Sequence, residues 1–112
     1  MYMKFRQLED LENDLKSEKS QENEVIAYVQ DVLMENGFEV DKKLNGVSFT
    51  HTYETDNAIY DCQFYMDTSS KTYSSYVTSN EDGVKQSTFQ QKGPIQEART
   101  AVDKLIKYLT TI

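Results

Sequence analysis

Among 112 residues this chain has one histidine and one cysteine, His51 and Cys62. Each lies in a stretch of period-two alternation. Val47, Phe49, His51 and Tyr53 alternate with Ser48, Thr50, Thr52 and Glu54. Ala58, Tyr60, Cys62, Phe64 and Met66 alternate with Ile59, Asp61, Gln63, Tyr65 and Asp67. If the two strands pair so that apolar positions face one another, Val47 meets Met66, Phe49 meets Phe64, His51 meets Cys62 and Tyr53 meets Tyr60. A histidine beside a cysteine is the start of a thiolate nucleophile or of a metal site. Both residues fall on the apolar parity, however, with no third orienting group and too few ligands for zinc. The pair therefore reads as part of the core, where thiols are inert. Asp56 and Asp61 are separated from the other acids of loops and strand edges by no motif, and the four glycines are too scattered for a phosphate loop. The expectation is no catalytic residue, no cofactor and no metal.

A different chemistry sits at the N-terminal end. Residues 1–41 hold eleven acids and four bases, the whole net charge of −7, and from Lys42 onward eight bases balance eight acids. Glu9, Asp10, Glu12, Asp14, Glu18, Glu22 and Glu24 fall within 16 residues. On a helix that span is about 24 Å, or one carboxylate per ~3.4 Å, close to the phosphate spacing of one DNA strand. Such a surface suits mimicry of nucleic acid towards a basic protein; its plainer reading is a solvated helix face that aids solubility. The same acidity disfavours direct nucleic-acid binding and anionic membranes.

The elements that position these groups follow from spacing. Phe5, Leu8, Leu11 and Leu15 predict a first helix over about 4–17. A polar break at 17–23 follows, with Ser20 as the cap of a second helix. Val25, Ile26, Val29, Val32 and Leu33 make that helix's apolar face, and Gly37 ends it with Phe38 folding back. A short strand follows around Phe38 and Val40, then a turn at Leu44-Asn45-Gly46, the strands 47–54 and 59–66, and a turn at Thr68-Ser69-Ser70. Strands over about 72–79 and 84–91 flank Asn80-Glu81-Asp82-Gly83. Their faces are ambiguous, since Tyr73 and Val77 oppose Tyr76 in parity. Gly93-Pro94 is expected to open a last helix, with Ile95, Ala98, Val102, Leu105, Ile106 and Leu109 as its stripe and Gln96, Arg99, Asp103, Lys104 and Lys107 facing out.

The predicted fold is a single α+β domain over 1–112. It is a two-layer sandwich in which an antiparallel meander of four to five strands packs on N-terminal and C-terminal helices. Residues 1–19 form an acidic helix that is loosely attached. The wet sheet face gathers Thr50, Thr52, Gln63, Tyr65, Thr72, Ser74, Tyr76 and Thr78. Rigid aromatics among adaptable hydrogen-bonding groups resemble the composition of recognition surfaces, although strand propensity alone also favours Thr and Tyr. Tyr65 and Tyr76 are the expected anchors.

With no long apolar run and a single cysteine, the chain reads as cytoplasmic. The leading expectation is a non-enzymatic inhibitor, monomeric or homodimeric, that occludes the basic surface of a nucleic-acid-handling protein. Phage and mobile-element anti-defence proteins, of anti-CRISPR or anti-restriction type, are the concrete version. An immunity or antitoxin-type protein is the alternative. A small-ligand binder with His51 and Cys62 lining its pocket, or a structural oligomer, comes next.

Overall fold

A computed structural model of the chain describes residues 22–112. The expected first helix, the Ser20 cap, and Glu9, Asp10, Glu12, Asp14 and Glu18 lie outside those residues. Residues 22–35 are helical (α1). Then come β1 (Glu39–Lys43), β2 (Gly46–Glu54), β3 (Ile59–Asp67), β4 (Thr72–Glu81) and β5 (Val84–Pro94). A 3-10 turn, Ile95–Glu97, leads into α2 (Ala98–Thr111). The strands form one antiparallel sheet in sequence order. The helices bury one face of this sheet and, among the described residues, leave the other bare, the two-layer α+β arrangement expected from the alternation.

Helix α1 ends as its glycine dictates. The Phe38 amide donates to the Leu33 carbonyl at 3.0 Å, the Gly37 amide donates to Met34 at 3.1 Å, and Gly37 has φ +86°. This is a Schellman closure, which needs a left-handed residue at that point. It returns Phe38 to the core beside Leu33, both buried.

The β2–β3 register is the one the apolar parity predicts, with Phe49 opposite Phe64 and His51 opposite Cys62. Through β1 to β5 the pairing continues as Val40, Phe49, Phe64, Ser75, Gln91. That row and its neighbours face the helices. Val29 and Leu33 of α1, Val102 and Leu105 of α2, and Phe49, Phe64, Met66 and Val77 of the sheet have no exposed surface. Burying side chains of this size is worth roughly 1.5–3 kcal/mol each, which makes this layer the main source of stability. α2 lies over β4 and β5, where Phe89 stacks on Tyr108 at 4.8 Å and the Gln91 side-chain amide donates to the Ala101 carbonyl at 2.7 Å. The helices are joined on their outer side. The Tyr28 hydroxyl donates to Asp103 at 2.8 Å, and the Arg99 guanidinium lies 4.5 Å from the Tyr28 ring centroid.

Three local expectations need correction. Gly93 and Pro94 do not open the last helix. They pair with Tyr73 and Thr72 as the end of β5, and Pro94 is extended at φ −62°, ψ 148°. An edge strand tolerates proline at its end because no inner partner needs its amide. The Ile95 amide then bonds Lys71 at 2.9 Å, so the helix proper waits until Ala98. The first hairpin turns on Leu44-Asn45, since Lys43 pairs with Gly46 inside the ladder. Gly46 is glycine for proximity: a Cβ there would collide with the Met66 carbonyl and lie 3.0 Å from the Tyr65 hydroxyl. Phe38, expected to begin the first strand, precedes it.

The packing at Gly46 has a measurable consequence. Gly46→Ala is expected to lower unfolding stability by about 1–3 kcal/mol, the usual cost of overpacking. Ser87→Ala, at an exposed site on β5, is expected to stay within ~0.5 kcal/mol. Urea unfolding of the two variants beside the parent protein checks both.

Candidate functional site

The side of the sheet away from the helices is built by the other parity. One row across the five strands is Glu39, Thr50, Gln63, Tyr76, Gln90, and the next is Asp41, Ser48, Tyr65, Ser74, Lys92. A third runs Thr52, Asp61, Thr78, Ser87 from β2 to β5. Every residue expected on the wet face is therefore on it, and the ambiguity of β4 is resolved: Tyr73, Ser75 and Val77 point inward and are buried, whereas Tyr76 points outward.

The two tyrosines are diagonal neighbours. Tyr65 sits opposite Ser74 and Tyr76 opposite Gln63, a spacing of about 7–8 Å that aromatic side chains bridge. Tyr76 is 39 % exposed and its hydroxyl donates to the Gln63 side-chain carbonyl. Tyr65 is half-buried, with its hydroxyl end over Gly46. The missing side chain at Gly46 thus seats the ring of Tyr65 and orients it. Beside them Thr52 donates to Asp61 at 3.4 Å. Ser48, between Asp41 and Tyr65 in its row, is only 5 % exposed.

The acidic residues are only partly gathered here. Glu22 is half-buried and Glu24 exposed, both at the start of α1. Asp31 and Glu35 are exposed further along that helix, and Glu39 and Asp41 are exposed on β1. These last two stand in the same rows as Tyr76 and Tyr65. Their alternation with Val40 was the signal in the sequence that could have placed them on the face. The β5 edge of the sheet and the helix α2 that lies over it are basic. From Val84 to the C-terminus there are five bases (Lys85, Lys92, Arg99, Lys104, Lys107) and two acids (Glu97, Asp103), net +3. Because α2 packs on β5, a polarity along the chain becomes a polarity across the fold.

His51 and Cys62 oppose one another on the inner face in an environment unsuited to a nucleophile. The His51 ring lies 5.1 Å from that of Phe38 and packs against Gly37. Its side chain is half-buried rather than fully in the core. Cys62 is 2 % exposed. Burial first, and the neighbouring Asp61 charge second, push its thiol up to about 11. At neutral pH it is a protonated packing group. Asp56 is exposed in the 55–58 turn, apart from Asp61 on the outer face. Among the described residues no group of three or more His, Cys, Asp or Glu stands together as a metal site, and no helix is long and apolar enough to cross a membrane. The depressions on the surface are shallow. One, lined by Asn36, His51, Tyr53, Ile106 and Leu109, opens beside the histidine.

No protein-family model, curated protein sequence or solved structure matches this chain.

The Cys62 environment sets a pH dependence. A thiol whose folded pKa is raised from the ordinary 9.0 to about 11 stabilises the fold fully below pH 9, and that contribution is lost as the pH rises through 11. Cys62→Ala is expected to flatten the fall in stability over this window. In the native parent protein, alkylation at pH 8 is expected to be far slower than for a free thiol and to match it only once urea unfolds the chain.

Proposed function

We propose that this protein is a non-enzymatic binding protein that acts stoichiometrically, occluding the basic, nucleic-acid-handling surface of a protein partner. The observation that carries this reading is the bare sheet face. Its five strands present tyrosine, glutamine, threonine and serine in ordered cross-strand rows, with Tyr65 and Tyr76 adjacent at the centre and Glu39 and Asp41 along one margin. Tyrosine supplies a large contact at small entropic cost, and the surrounding hydroxyls and amides adapt their hydrogen bonds to the partner. The acids along α1 and β1 supply attraction over the ~8 Å reach of charge at physiological salt and speed encounter.

A small anti-defence inhibitor from a phage or mobile element, directed at a host nuclease of CRISPR or restriction type, fits these properties. An immunity protein plugging a toxin's basic site is a second member of the same class, and the identity of the captured partner separates the two.

The test is capture from nuclease-treated host lysate, followed by affinity measurement with the purified partner. Binding is expected to weaken markedly between about 50 mM and about 500 mM salt. Tyr76→Ala is expected to reduce affinity at least ~30-fold if the ring is a central anchor. Reversal of Asp10, Asp14 and Glu18 to Lys is expected to slow association and remove much of the salt dependence. Affinity unchanged when both tyrosines are alanine would overturn the role of the face, and unchanged salt dependence in the reversal variant would overturn the role of the acids.

A further inference from the structure

Among the described residues the sheet has a free edge whose sequence is complementary to itself. β1 pairs with β2 on one side only, and all five of its residues are exposed. Val40 is 37 % exposed, and Leu44, in the turn just after the strand, is 97 % exposed. We infer that β1 is the contact surface for a second copy of this chain, paired antiparallel about a two-fold axis through Lys42 to make one continuous ten-stranded sheet.

The register follows from charge together with apolar cover. Directly opposed residues in an antiparallel pair lie on one face with Cβ atoms about 5 Å apart, so opposite charges attract and like charges repel. With the axis at Lys42, Asp41 faces Lys43 of the second copy and Val40 faces Leu44, and the symmetry repeats each contact. The two exposed apolar side chains of this edge thereby cover one another. Shifting the axis to Asp41 trades the Asp41–Lys43 attractions for Glu39–Lys43 ones, but it sets an acid against itself, puts Val40 against Lys42 and leaves Leu44 uncovered; shifting it to Val40 sets Glu39 against Asp41. The remaining unfavourable contact is Lys42 with its own copy, on the exposed margin of the inner face, where long side chains splay into water. Short strands, charged side chains, bulges and prolines all guard edges against pairing. The opposite edge has the last two: β5 has a register irregularity opposite Val77/Thr78 and ends at Pro94. β1 has neither; it is short and charged, but its charges change sign along five residues, so they attract a reversed copy where charges of one sign would repel it.

An isologous two-fold contact is the commonest form of self-association. An axis normal to the sheet keeps both bare faces on one side, so each dimer presents two Tyr65–Tyr76 pairs in one plane. The contact is short, and a concentration-dependent dimer is expected rather than an obligate one.

Sedimentation velocity of the full chain over a concentration series, at low and high salt, reads the association. Asp41→Lys and Lys43→Asp, taken singly, are each expected to weaken it at least ~tenfold, since two attractions become repulsions. The double exchange D41K/K43D is expected to restore it, which a mere folding defect would not do. Lys42→Cys is expected to oxidise rapidly to a disulfide-linked dimer, because this position meets itself at the axis; Lys104→Cys on α2 is the control that associates like the parent but forms no intermolecular disulfide. A parent protein that remains monomeric throughout, single reversals that associate normally, or a double exchange that fails to restore association would each overturn the inference.

Discussion

The structure depends on one constraint: a five-stranded sheet with helices on one side has to keep a single parity of residues facing them. The row Val40, Phe49, Phe64, Ser75, Gln91 fixes that parity across all five strands. A slip of one residue in any pairing would carry a strand's apolar set into water. Phe49 and Phe64 sit opposite each other, both fully buried; a slip in β2 would expose Phe49, and one in β3 would expose Phe64 together with Met66. The outer face is then determined without any force of its own. Thr50, Gln63, Tyr76 and Gln90 share a row because their neighbours in sequence are committed to the core.

This explains how much was legible in the sequence. The parity of β2 and β3 could be read because apolar residues, with His51 among them, recur at alternate positions of both strands, and the turn over 55–58 sets which alignment of that parity is used. β4 and β5 resisted the same treatment for physical reasons. β4 buries a serine between Tyr73 and Val77 while exposing a tyrosine beside it, so hydropathy does not mark its faces. β5 has Phe89 as its one large apolar residue in mid-strand. Thr78 pairs with Ser87 while Val77 pairs with Phe89, which leaves Thr88 as an extra residue. Gln86 and Phe89 therefore share the inner parity although three positions apart. No fixed period represents that bulge. The start of α2 was misplaced for a related reason. Proline marks the first turn of a helix and the end of an edge strand equally well, and only the pairing of Thr72 with Pro94 decides between them.

The candidate site was legible to the extent that it rests on the parity. Tyr65 and Tyr76 share the bare face as diagonal neighbours, which follows once Gln63 is set opposite Tyr76. What the sequence did not convey is that the two tyrosines are held differently. Tyr65 is seated over a glycine in the neighbouring strand, a contact between residues nineteen positions apart that local pattern does not encode. Tyr76 rests on Gln63 through its hydroxyl and keeps more of its ring in solvent. A pre-seated ring loses less freedom on binding than a free one. Tyr65 is thus the better ordered of the pair before contact, and Tyr76 has more surface left to bury.

The chemistry of the bare face limits what can cover it. An apolar partner would strip water from the hydroxyls of Thr50, Thr52 and Ser74 and the amides of Gln63 and Gln90 without replacing their hydrogen bonds, at a cost of about 1–3 kcal/mol per group left unpaired. A third layer of ordinary amphipathic helices, which would offer apolar stripes, is therefore a poor complement. The complement that avoids the penalty is a polar surface rich in donors, since the carboxylates of Glu39, Asp41 and Asp61 accept hydrogen bonds and donate none. Arginine-rich and lysine-rich surfaces have that character, and they are the surfaces built to hold phosphate. On the proposed function, a basic partner would meet the three carboxylates of these rows, while Lys92 at the β5 margin is their single base.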